Sequence, residues 1–323
     1  MASSSLRRFA GFCWATLAVM IGVILWGAYV RASGSGAGCG SHWPRCDGEV
    51  LPRPKTMEML VELLHRATSG VILVMVLAQL VWAFVVLPRK HPARAASVAT
   101  MVLVVTEALV GAGIVLLEYV ALDKSIGRAA WMSLHLINTF FLVAASAATA
   151  WFASGGKAVR LRGQGTAGLL LAGSAAALLL VGVTGAITAL GDTLFMAASL
   201  AKGIADDLSP TAHFLQQLRV GHPVVAVSAA LFVLYARGAI AEGRGPQAAK
   251  LSRRLAVVIV GQLCLGALNF VLLAPVAMQL LHLLAADLVW IAFVFFALGA
   301  LASPAPGAEK VAALGDAEGS RAS

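Results

Sequence analysis

Charge is scarce in this chain: Asp, Glu, Lys and Arg make up 12% of its 323 residues, while 60% are hydrophobic and the mean hydropathy is +0.87. A soluble domain of this size carries about 25% charged residues, so the composition leaves little room for one. Long polar stretches are missing too. Apolar runs of bilayer length, roughly 20 residues each, fall at about 9–30, 58–87, 96–118, 128–153, 166–190, 211–236, 254–274 and 277–302. The first run lacks a small-residue cleavage site close behind it and is too long for a signal-peptide core, so it is expected to stay as the first span. Acidic residues number 15 against 24 Lys and Arg, a net charge of +9. The excess reflects where the cations lie, and no nucleic-acid partner is expected from it.

Those cations separate by side. Arg7 and Arg8, Arg89, Lys90 and Arg94, Lys157, Arg160 and Arg162, and Arg237, Arg244, Lys250, Arg253 and Arg254 occupy one set of loops. The other loops mix Arg31, Arg45, Arg53, Lys55, Lys124, Arg128 and Lys202 with Asp47, Glu49, Asp123, Asp192, Asp206 and Asp207. Short Lys/Arg-rich loops stay in the cytoplasm. Both termini are therefore expected there, in an all-α integral protein of the cell (inner) membrane.

Cysteines are few as well. Cys13 and Cys264 fall inside spans and read as packing residues. Cys39 and Cys46 share the first extracytoplasmic loop, where disulfides persist. A disulfide is expected, and a metal site of Cys39, Cys46 and His42 is the competing reading. The run GSGAGCG from Gly34 follows a span, opens no βαβ unit and lacks a Lys-Ser/Thr ending, so it reads as a tight turn rather than a phosphate loop.

The second half repeats the first weakly. EALVGAGIVLLE followed by SLHLINTFFLVA matches QLCLGALNFVLLA followed by LLHLLAADLVWIA, and VELLHRATSGVILV matches QLRVGHPVVAV with His65 on His222. Four spans separate the copies, so the repeat is parallel. Two four-helix bundles are expected, divided as 1–160 and 161–302, with 303–323 a disordered cytoplasmic tail.

Of seven histidines, His42, His91 and His213 sit in loops or at a span's start, whereas His65, His135, His222 and His282 lie within the four even-numbered spans. Each is 5–11 residues from its span's outer end, which at 1.5 Å per residue sets all four about 8–16 Å deep. An imidazole in lipid needs a partner, and two from facing helices can clamp a heme iron. His65 with His135 and His222 with His282 are the expected pairs. Structural interhelical pairs are the alternative. Glu62, three residues before His65, shares its helix face and could act as a base, whereas Arg219 stands in the matching place before His222 and suits a propionate or a structural anion pair. Asn138 and Asp287 are possible supporting groups. Glu107, alone in the third span, reads either as a proton-path residue or as a neutral hydrogen-bonded one.

GAYVRASGSGAGCGSHWPRCDG followed by ELLHRATSG, together with histidines on spans two, four, six and eight, resembles the heme A synthases. The resemblance implies oxidation of a methyl group of heme O to a formyl group, giving heme A for heme-copper oxidases. It implies Glu62 as the catalytic acid with Arg66 next to the site, His65 and His135 serving the substrate heme, and His222 and His282 ligating a permanent heme b as electron relay. It also implies Cys39 and Cys46 as the loop cysteines. Heme O synthase, an electron acceptor, membrane lipid and a second copy in a homo-oligomer are the implied partners. The chain departs from the family pattern in placing Pro223 after His222 and in lacking a cysteine pair at 191–210. A non-catalytic bis-histidine membrane cytochrome and a heme transporter are the rival functions.

Overall fold

The computed structural model describes residues 2–50 and 52–302; the expected tail at 303–323 lies outside them. Among the described residues nine α-helices run in order: α1 (Ala2–Ala32), α2 (Met57–Val86), α3 (Pro92–Leu116), α4 (Ile126–Ala153), α5 (Gly165–Leu194), α6 (Leu200–Asp207), α7 (Phe214–Ala241), α8 (Gly245–Val271) and α9 (Val276–Leu301). Among the described residues there is no strand. Eight of the helices are long and apolar enough to cross a membrane. The ninth, α6, is a short amphipathic turn between α5 and α7 that the hydropathy pattern passes over.

Local chemistry sets the helix ends. The Thr56 hydroxyl accepts from Met59 N at 3.2 Å and starts α2, and Ser125 does the same for α4 through Arg128 N at 3.1 Å. His91 and His213, two of the three histidines outside the spans, cap α3 and α7 by accepting from Ala93 N and Leu215 N, each at 3.3 Å. Helix α8 begins nine residues before its expected start at 254, because Pro246 opens it and the polar stretch that follows continues the same helix. Helix α7 runs unbroken through Pro223.

Adjacent helices pair as α1 with α2, α3 with α4, α5 with α7 and α8 with α9. Helices α4 and α9 form the centre: half of α4's apolar window and 44% of α9's are buried inside the protein, against 11% for α5 and α8. Lipid is as apolar as leucine, so helix contacts here depend on close packing and hydrogen bonds. Ser146, Ala147, Thr149 and Ala150 give α4 a buried small-residue edge against its neighbours. Trp290 Nε1 donates to Phe140 O at 2.6 Å and the two rings stack at 5.2 Å, joining α9 to α4.

Arg31 ties α1 to the other half. Its Nη1 donates to Ala189 O and Thr193 Oγ1, both at 2.6 Å on α5, and its Nη2 to Gln279 Oε1 at 2.8 Å on α9. Hydrogen bonds from a charged group contribute about 1.5–3 kcal/mol each, and less where solvent reaches them. Arg31→Ala is therefore expected to lower the stability of the detergent-purified protein by on the order of 3 kcal/mol, read as thermal aggregation. Arg31→Lys, which lacks the planar fork, should recover only part of the loss.

Candidate functional site: a layer of four histidines

The four span histidines come to one level. His65 lies eight residues past Met57, His135 nine past Ile126, His222 eight past Phe214 and His282 six past Val276, which at 1.5 Å per residue is about 9–14 Å from each helix start. All four starts are at the end of the molecule that carries the Cys39–Cys46 loop. His65 lies within electrostatic range of His135, and His222 of His282.

Each imidazole sits over a glycine of the preceding membrane-length helix. A Cβ at Gly27 would stand 2.8 Å from the His65 ring, at Gly185 3.1 Å from His222, at Gly266 3.0 Å from His282, and at Gly111 3.8 Å from His135. Three of these seats exclude any larger residue without displacing the ring, and the fourth allows ordinary contact. The seats bring the Cε1 edge of each half-buried ring against bare backbone.

The ring nitrogens differ in their company. His222 Nδ1 is 3.0 Å from Thr184 Oγ1, which leaves Nε2 available to a metal. His135 Nδ1 is 3.3 Å from Glu107 Oε1, outside hydrogen-bond alignment. Nδ1 of His65 and of His282 is buried without a hydrogen-bond partner, and His282 Nε2 lies 3.3 Å from Gln262 Nε2. Buried imidazole nitrogens left open in this way fit axial coordination of a heme iron.

Glu62 is buried at 3% exposure and fully engaged. Its Oε2 accepts from Cys39 N at 2.8 Å, and its Oε1 from Arg66 Nη2 at 2.5 Å and Nε at 3.1 Å. Arg66 also donates to His42 O and Arg45 O, both at 2.6 Å. Cys39 and Cys46 form a disulfide, and among the described residues no group of three His, Cys, Asp or Glu gathers around a metal position. Gly40 (φ 63°) and Gly48 (φ 81°) make the left-handed turns that close this loop. At its rim Lys55, 2.9 Å away, holds the Asp47 carboxyl below its ordinary pKa. Loop, disulfide, Glu62 and Arg66 are thus one hydrogen-bonded unit over the His65 helix.

The remaining sequence candidates separate. Arg219 forms the structural anion pair, with Asp192 at 3.0 Å and bidentate to Asp207, and so fastens α6 onto α7. Asn138 donates to Glu107 Oε2 at 2.5 Å and to Leu103 O at 3.0 Å, which puts it behind His135. Asp287 is 1% exposed with both oxygens unpartnered, and no contact joins it to His282. Sequence reasoning missed Thr184 and the glycine seats. The signal was present as GAY, VGAG, TGA and LGAL on successive odd spans.

Helices of this length, number and hydropathy, with paired histidines at one depth, define an integral membrane protein of the polytopic α-helical class. Residues 10–294 match the family described as cytochrome oxidase assembly protein. The chain belongs to that family. It is 48% identical over 302 residues, 93% of its own length and 50% of the relative's, to a protoheme IX farnesyltransferase of Thermus thermophilus. It is 41% identical over 93 residues to the heme A synthase of Alkalihalophilus pseudofirmus, covering 29% of this chain and 31% of that one. Against the heme A synthase of Geobacillus kaustophilus it is 37% identical over 109 residues, 34% of each. The chain spans about half the length of the Thermus relative.

Proposed function

We propose that this protein is a heme A synthase, an oxidoreductase that takes heme O as substrate and converts one of its methyl groups to a formyl group. The observation that carries the reading is the layer of four histidines, each seated on a glycine of the preceding membrane-length helix. Similarity to proteins named heme A synthase supports it. His65 and His135 hold the substrate in the first half, 1–160. His222 and His282 ligate a resident heme b in the second, 161–302, with the two halves acting as parallel four-helix bundles. A bound heme b supplies one-electron chemistry. The reaction adds an oxygen atom and removes two electron pairs from the substrate, so a relay toward an external electron acceptor fits it.

The chain's own residues supply positioning and proton handling. Glu62, held by Arg66 and Cys39 N–H, is the catalytic acid–base group beside His65. Thr184 fixes the orientation of His222. The Lys/Arg-rich loops stay cytoplasmic, as do both termini, and the histidine layer faces the extracytoplasmic side. Heme O synthase is the natural donor of substrate.

A second reading, heme farnesyl transfer, is favoured by the name of the Thermus relative. Releasing a diphosphate calls for clustered carboxylates to hold Mg²⁺, and the described residues contain no such cluster. Pigments extracted from membranes containing this protein and a source of heme O decide between the readings. Heme A is expected. Heme O left unchanged would overturn the synthase reading, and heme O formed from protoheme and farnesyl diphosphate without any other enzyme would establish the transferase.

A further inference from the structure

Glu107 is an acid in the middle of a membrane span, and it is not solitary. Its Oε2 accepts from Asn138 Nδ2 at 2.5 Å, and its Oε1 accepts from the Thr139 hydroxyl. Asn138 is itself held in that orientation, because its Oδ1 accepts from Thr106 Oγ1 at 2.7 Å and its amide also donates to Leu103 O at 3.0 Å. The two donors come from the turn of α4 that follows His135, and the same Oε1 stands 3.3 Å from His135 Nδ1. Asn138, Thr139 and His135 thus each turn a donor or a potential donor toward the carboxyl group. A carboxylate at this depth is expensive unless it has such partners.

The other half lacks this device. In the aligned repeat Gln262 takes the place of Glu107, Gly266 that of Gly111, and Ala285 and Ala286 those of Asn138 and Thr139. His282 therefore faces a neutral amide, 3.3 Å from its Nε2. The Nδ1 partner in that half is the uncharged hydroxyl of Thr184, on His222.

We infer that Glu107 is a positioning residue for His135: its carboxylate, 3.3 Å from Nδ1, stands behind that imidazole and leaves Nε2 as the nitrogen for the iron. A carboxylate behind a ligating imidazole raises its basicity and so favours the ferric state. The first site therefore has a lower reduction potential than the second. The inference rests on the heme reading above and adds a direction to it, since electrons leaving the first site would run downhill toward the His222–His282 pair.

The test uses the full chain in membranes, loaded with hemin as the probe and titrated by spectroelectrochemistry, with the first-site signal identified as the one lost in His135→Ala. Glu107→Gln should weaken hemin binding at that site by roughly 10- to 100-fold and move its potential upward, by about 59 mV for each tenfold loss of ferric over ferrous preference. Glutamine is the residue the chain itself carries at the matching position 262, so the variant should fold. Thr139→Val, which leaves Glu107 in place but removes one of its donors, should shift the potential in the same direction by less. An unchanged potential and affinity in Glu107→Gln, with the first-site signal still lost in His135→Ala, would overturn the inference. If His135→Ala removes no heme signal, the heme reading itself falls and the inference with it.

Discussion

His222→Ala and His282→Ala are each expected to abolish the low-spin bis-histidine heme spectrum of the purified protein, in reduced-minus-oxidised difference spectra. Losing a group that merely orients a ligand costs roughly 10–100-fold in metal affinity, so losing an axial ligand itself should exceed about 100-fold and leave the second site empty at micromolar heme. Gly266→Leu should do nearly the same without touching a ligand, because the new Cβ would stand 3.0 Å from the His282 ring before the rest of the side chain is counted. His91→Ala and His213→Ala are the controls. Both residues cap helices, so their loss should cost about 1 kcal/mol of stability and leave the heme spectrum intact. Full heme content in both His222→Ala and His282→Ala would remove the relay assignment.

The second large effect is expected at Glu62. In Glu62→Gln the amide keeps a single oxygen acceptor, yet the native carboxylate satisfies Arg66 on one oxygen and Cys39 N on the other. Whichever way the amide turns, its NH₂ faces a donor. Breaking a buried pair by neutralising one member costs about 3–5 kcal/mol, so the loop carrying the disulfide should loosen. Heme at the His222–His282 pair should persist, since that pair lies in the other half. Extracted pigment should shift from heme A to heme O, with partly oxidised heme accumulating where the proton step alone is slowed. Undiminished heme A from Glu62→Gln would sink the role proposed for the residue.

The contrast between these two sites shows how much the sequence could reveal. Hydropathy located every membrane-length helix, because twenty apolar residues in a row have few alternatives. The even-span histidines were legible for a related reason: a polar ring in an apolar run stands out, and its distance from the span's start gives its depth. What crosses between helices was not legible. Arg31 counts in sequence as one more loop cation, but α1 continues through it and the folded chain aims it at α5 and α9. Arg219 by its position alone suits either a propionate or an anion pair, whereas Asp192 on α5 and Asp207 on the short helix α6 both engage it as the pair. Glu62 reads as a free base three residues from His65, although the backbone of Cys39 and the guanidinium of Arg66 already occupy both its oxygens. Apart from the i,i+4 pair of Glu62 and Arg66, these contacts join atoms 12 or more residues apart along the chain, and no periodicity encodes them.

Arg31 also constrains the order in which the molecule can be built. Its acceptors lie 158, 162 and 248 residues further along the chain, so during synthesis the guanidinium exists long before anything is there to receive it. Until then a charged side chain at the end of a membrane helix stays at the water boundary, where its stem can snorkel. Arg31 therefore gains its full set of acceptors only once both α5 and α9 are in place. A nascent chain cut short before α9 would lack one of that cation's acceptors and expose it to quality control.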